Sequence, residues 1–390
     1  MDNSNPAPVG SFTDGEDGQP GEVPKYAGDM PDEDVDHNPD AAPPEPSAPS
    51  LDGLSPIPGY QNIGFSGDFL PPPPCADVVQ PQEERKDITN VSVIGEDEAR
   101  QALRLYVGEN CCYGKKPVEE LTFTELQSSN AFHYSLDTFT EARSTEWDFV
   151  PYMGGPLDGP ENGPAPGPWD VPAQCKELFK DEKRDLEVPH TATTKPCHNC
   201  FAVGFVRCWH CHGRGQNRCT SCSGSGKRMD DEECSFCNGT GKRDCMTCHS
   251  KGNVICKICQ GHRILKYYIK LTIKWHKHDD NHIVERTSLP DKLIKKVEGQ
   301  TAFEETYPRV YPIQHFVEQE INNASASLVS KHQYPMERVL MQRHSVRIVP
   351  VTVCRYKWND TESDFIVYGL EKKVHAPDYP QQNCCGCSVL

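Results

Sequence analysis

Long apolar runs are missing from this 390-residue chain. Only 36% of it is hydrophobic and 8% aromatic, and no stretch approaches the roughly 18 consecutive apolar residues of a membrane-spanning helix. The first ten residues hold neither a basic cluster nor an apolar core, so no secretory leader is read there. The expectation is a cytoplasmic chain, not a secreted one, in which the Asn-x-Ser/Thr triplets at Asn90, Asn238, Asn323 and Asn359 are chance matches. Basic charge is also scarce: 40 Lys and Arg face 57 Asp and Glu, a net −17. No Ser/His/Asp arrangement, paired-carboxylate signature or phosphate-cradling glycine loop rises above chance, so no enzyme and no small-molecule substrate are expected.

The acidic excess lies mostly at one end. Residues 1–80 carry fifteen Asp and Glu against the single Lys25 and hold sixteen of the 34 prolines. Such a stretch cannot bury enough apolar area to offset its ordering entropy, and residues 1–84 read as a disordered acidic tail. Its prolines, Pro71–Pro74 among them, would suit a scaffold that recruits modular domains.

Cysteine is abundant instead. Twelve of the 20 cysteines form six CxxC pairs between Cys197 and Cys259, each pair mirrored by another equally far from Arg228. A chain that doubles back at Lys227–Asp230 nests these pairs into three quartets. They are Cys197, Cys200, Cys256 and Cys259; Cys208, Cys211, Cys245 and Cys248; and Cys219, Cys222, Cys234 and Cys237. Four thiolates suit one closed tetrahedral zinc site, so three Zn2+ ions are expected to join the arms; an iron–sulfur centre is the other four-thiolate possibility. The block holds twelve apolar residues besides cysteine, too few for a core, so metal must supply its stability. Three pairs fit CxxCxGxG, and glycine there allows positive φ and close approach of amides to sulfur. His198, His210, His212, His249 and His262 read as turn residues, since the thiolates fill the sites. Nine Lys and Arg against five Asp and Glu, with the charge of loaded quartets added, leave no positive excess for nucleic acid.

The flanks read as β-rich. A helix is predicted over 96–107, strands over 131–150 and a short charged helix around Cys175 to Leu186. Tyr267, Ile269, Leu271, Ile273 and Trp275 alternate with polar residues as a half-buried strand. A turn at His278–Asn281 and the run Ile283–Thr287 would complete its hairpin. A second hairpin pairs Val346–Trp358 with Phe365–Leu370, its first strand placed at an edge because of Pro350.

The CxxCxGxG repeats resemble the cysteine-rich zinc finger of DnaJ-type co-chaperones, although six pairs stand here where that family has four. No His-Pro-Asp tripeptide occurs, so the resemblance does not extend to a J-domain. Asn110-Cys-Cys-Tyr-Gly114, Ser129-Asn-Ala-Phe-His-Tyr134 and Thr145-Glu-Trp147 resemble the animal Ssu-two homologue family over about 85–378. These resemblances imply a non-catalytic zinc module that binds unfolded clients, and in vertebrates a link to odontogenesis. The whole reads as an α+β chain: a disordered tail (1–84), a β-rich body with a few helices (85–190 and 264–378), a long zinc-stapled β-hairpin-like finger projecting from it (191–263), and a terminal segment (379–390). In that segment Cys387-Ser-Val-Leu390 fits a prenylation signal, with Cys384 and Cys385 placed for palmitoylation. The leading expectation is a zinc-binding, chaperone-like protein on a membrane's cytosolic face, partnered by client proteins that meet the apolar residues of Tyr267–Trp275. An adaptor working through the proline-rich tail is the main alternative, and a thiol-disulfide oxidoreductase a weaker one.

Overall fold

A computed structural model describes residues 45–73, save 55 and 62, and 93–380, save 111 and 230. Its chain is β-rich with few helices, and it divides into two compact units. One comprises the described part of Met1–Ser50 with Pro151–Met153 and Pro196–Leu265; the other holds Leu51–Val150, Gly154–Lys195 and the described part of Lys266–Leu390.

The larger unit is built on one nine-stranded sheet. Its strands are β1 (Asp68–Leu70), β2 (Thr122–Pro151), β3 (Glu182–Glu187), β4 (Thr193–Pro196) and, beyond the short strands β5 (Phe205–Arg207), β6 (Gln216–Arg218), β7 (Lys242–Asp244) and β8 (Asn253–Ile255) of the cysteine block, β9 (Ile264–Val284), β10 (Gln300–Tyr307), β11 (Arg338–Trp358), β12 (Thr361–Tyr368) and β13 (Lys373–His375). The order is β13-β12-β11-β2-β9-β3, with β1 on β2, β10 on β11 and β4 on β9. Alternation buries one face of β9 completely: Tyr267, Ile269, Leu271, Ile273 and Trp275 are at most 1% exposed. At roughly 1.5–3 kcal/mol for each such side chain, this row is a principal source of the unit's stability. Lys270 on the other face pairs with Glu146 and Asp148 at 2.7 and 2.8 Å.

Helix α1 (Glu96–Glu109) starts with three acidic residues that complement its amino-terminal dipole, and Glu98 accepts the Gly95 N–H. Ala99, Ala102, Leu103 and Val107 form its buried stripe and pack with Tyr356, Phe365 and Val367 of the sheet. Two short helices follow, α2 (Lys116–Glu120) and α3 (Asp291–Ile294). A longer one, α4 (Gln319–Lys331), escapes the sequence reading because two of its buried residues are polar. Asn322 satisfies both backbone groups of Phe316, and Ser325 accepts the Ile313 N–H while donating to Tyr134 Oη.

Four expectations are corrected. Residues around Cys175–Leu186 form no helix; Glu182–Glu187 is a strand paired to β9, where Arg184 lies over the Trp275 ring and Asp185 accepts the Thr272 hydroxyl. No turn interrupts β9 at His278–Asn281, because pairing continues there and tertiary partners hold its polar residues, His278 on Glu337 and Asp280 on His332 and Lys331. Pro350 does not mark an edge, since β11 runs between β2 and the β10 and β12 strands. Ile348 is the last residue paired to β10 and Val351 the first paired to β12, so the missing proline N–H falls at the seam between them; its carbonyl accepts the Gly369 N–H on that side. Finally, residues within the acidic tail join the sheet unit: Ile57 and Tyr60 are buried, β1 pairs β2, and Phe65 packs edge-on against Phe149 and Tyr267.

Candidate metal centre

The cysteine block folds back on itself as nested antiparallel ladders. Strand β5 (Phe205–Arg207) pairs with β8 (Asn253–Ile255), β6 (Gln216–Arg218) with β7 (Lys242–Asp244), and Lys227 bridges to Glu233. Every pair lies equally far from position 230, two residues beyond the centre of the cysteine mirror. The offset has a geometric cause. The knuckles run in the same chain direction on both arms, so a local two-fold relates them, matching first cysteine to first and second to second. The sulfur distances follow that rule in all three quartets. They are 3.8 Å for Cys197 to Cys256, 3.6 Å for Cys200 to Cys259, 3.8 Å for Cys208 to Cys245, 3.6 Å for Cys211 to Cys248, 4.0 Å for Cys219 to Cys234 and 3.7 Å for Cys222 to Cys237.

The knuckles lock each other reciprocally. The Cys219 N–H donates to the Gly241 carbonyl and the Cys234 N–H to that of Gly226; Cys208 with Gly252 and Cys245 with Gly215 repeat the exchange, as do Cys197 with Arg263 and Cys256 with Gly204. The fourth residue after the second cysteine also turns its own N–H onto that sulfur, from Gly204, Gly215, Gly226, Gly241 and Gly252 at 3.2–3.3 Å. Gly226 shows why glycine stands there. Its φ is +78°, and a Cβ would lie 2.3 Å from the Gly239 carbonyl oxygen on the facing arm. In the sixth knuckle Arg263 takes that place with φ 71°. The residue just after each pair is also left-handed, including Phe201, His212 and His249, which makes those histidines part of the turns.

All twelve cysteines are buried, and each quartet's ligand atoms lie within 4.8 Å of one another. Among the described residues these three are the groups able to hold a metal ion. A tetrahedron with Zn–S bonds of about 2.3 Å has edges of about 3.8 Å, matching the observed sulfur spacing, whereas a disulfide would need about 2.0 Å. The donor set therefore fits zinc. Without a cation the thiols split. Burial pushes Cys197 and Cys211 up to about 12 and, with neighbouring thiols, Cys237 up to about 11. Burial alone would also raise Cys222, but the Gly226 N–H and the thiols around it outweigh that and bring it down to about 6. The same balance, with different donors, lowers Cys245 and Cys256 to about 7. Four thiolates at these separations repel one another, and a divalent ion removes that repulsion.

The side chains expected to meet clients, Tyr267, Ile269, Leu271, Ile273 and Trp275, are interior and leave no surface for a partner. Cys384, Cys385 and Cys387 lie outside the described residues. Asn199 was not anticipated. It donates from Nδ2 to Cys256 Sγ at 3.4 Å, and its one sequence signal is an amide between the cysteines of the first knuckle.

Three curated proteins match this chain. "Protein SSUH2 homolog" of Danio rerio is 38% identical over 352 residues, 88% of this chain and 97% of that protein. The protein of the same name from Homo sapiens is 33% identical over 356 residues, 88% and 95% of the two chains, and that of Mus musculus 36% over 250 residues, 63% and 72%. No family model matches the sequence, and no solved structure matches it either.

Proposed function

The chain belongs to the SSUH2 homolog family, and within it we propose a zinc-dependent, non-enzymatic, chaperone-like protein that holds unfolded segments of client proteins. The observation that carries this reading is a segment whose cysteines are buried while its large apolar side chains are not: Phe201 and Met246 are 81% exposed, and Met229, Phe236 and Ile255 are exposed with them. A fold kept in shape by metal has no need to hide such residues, and flexible methionines beside aromatics suit varied apolar partners.

In this reading each quartet holds one Zn2+, which cross-links the two arms of a DnaJ-type finger projecting from the sheet body. Four thiolates leave no open coordination position, so the ion is structural. A lipid anchor at Cys387, with Cys384 and Cys385, is the membrane part of the proposal, and mass spectrometry of the terminal peptide tests it. Suppression of the aggregation of a denatured model protein, abolished by chelation, is the expected result for the whole chain. Absence of suppression favours the scaffold reading through Pro71–Pro74, and reduction of insulin by the zinc-loaded protein would favour an oxidoreductase.

A further inference from the structure

The outermost quartet differs from the other two in its surroundings. Its first knuckle reads Cys197-His-Asn-Cys200, whereas the second residue between the cysteines is His210, Ser221, Phe236, Thr247 and Ile258 in the others. Asn199 uses both ends of its amide. Nδ2 donates to Cys256 Sγ at 3.4 Å, and Oδ1 accepts the backbone N–H of Ser47 at 3.0 Å. Only one orientation of the amide satisfies both contacts. Ser47 belongs to the same compact unit as the cysteine block, although 152 residues separate it from Asn199 in sequence.

We propose that Asn199 couples the metal at Cys197, Cys200, Cys256 and Cys259 to the placement of residues 45–50, so that zinc and the docked segment strengthen each other at this quartet alone. The inference rests on the zinc part of the proposed function and not on client binding. A sulfur bound to zinc is a full thiolate and a better acceptor than a thiol, so the N–H···S bond is strongest in the loaded site. That bond orients the amide oxygen toward Ser47. Coupling of this kind is reciprocal: whatever factor zinc adds to docking of the segment, docking adds to retention of zinc.

The test uses the full chain in three forms: wild type, Asn199→Leu, which removes both contacts at near-constant volume, and Ser47→Pro, which deletes the N–H and leaves the sulfur contact untouched. Zinc release to a chromogenic chelator is followed over time, with cadmium NMR of the cadmium-substituted proteins to count sites. The expected result is that one equivalent of three leaves about tenfold faster in Asn199→Leu, and faster by a smaller factor in Ser47→Pro, with one cadmium resonance shifted. Hydrogen exchange at residues 45–50 should rise as that equivalent leaves wild type. Three equivalents leaving both variants at wild-type rates, or protection at 45–50 that ignores metal, overturns the coupling while the zinc reading stands. Should Asn199→Leu not fold, Ser47→Pro alone decides. Wild-type protein that binds no zinc removes both.

Discussion

The two units solve the same problem with different materials. The sheet unit buries the row Tyr267–Trp275 and packs α1 and α4 on other apolar residues of its strands, and its shape follows from apolar area removed from water. The cysteine block buries little besides sulfur, and its clusters of buried residues are the quartets themselves. Area-based stability is spread over dozens of contacts and degrades gradually. A sulfur quartet is all or nothing, and its failure is local. The block can therefore leave large apolar side chains such as Phe201 and Met246 exposed without losing what holds it together.

Chelation should separate the two most strongly. Zinc at a thiolate site contributes on the order of 10–16 kcal/mol, so a chelator should release the amides of 197–259 to full hydrogen exchange while β2 and β9 stay protected. Loss of protection in both units would break the comparison. The converse probe is Trp275→Ala, which empties a fully buried site. It should cost the sheet about 3–5 kcal/mol in urea unfolding yet leave three zinc equivalents by elemental analysis. Gly226→Ala should act inside one rung. Its Cβ meets the facing backbone, and a cost of roughly 2–3 kcal/mol from overpacking should show as weakened or missing metal at Cys219, Cys222, Cys234 and Cys237 only.

Acid gives the gentlest separation. Cys222 sits near 6, below its ordinary thiol value of 9.0, so what its thiolate contributes is present above that ordinary value and is lost as pH falls through about 6; bound zinc moves the loss lower still. Asp158 in the body is held at about 2 from 3.8 by the Asn162 amide first, then by the His190 N–H and ring. Its contribution is intact above 3.8 and disappears as pH falls toward about 2. A pH titration should therefore release zinc first and loosen the 154–192 loop afterward, read by metal content and by NMR of His190. Release of both at one pH would contradict separate stabilisation.

Much of the block was legible because ligand spacing is rigid: CxxC with its later glycine has few other uses, and the quartets follow from nesting. The offset of the ladder was not legible, since a mirror in residue numbers does not show that knuckles pair by a two-fold. In the body, the alternation of Tyr267–Trp275 and the stripe Ala99, Ala102, Leu103 carried their own periodicity. The rest depended on partners distant in sequence. His278–Asn281 looks like a turn until Glu337, His332 and Lys331 are beside it, Glu182–Glu187 becomes a strand because β9 offers an edge, and Pro350 is tolerated because two neighbours meet opposite it.

The knuckles begin at Cys197, Cys208 and Cys219 on one arm and at Cys234, Cys245 and Cys256 on the other, the same interval each time. Because every exchange of backbone hydrogen bonds closes within its own rung, removing 208–218 together with 245–255 would bring Arg207 to Cys219 and Asp244 to Cys256 with the pairing register intact. Each arm is thus graduated in equal steps, so that a whole rung can be lost or gained while the remaining quartets keep their geometry.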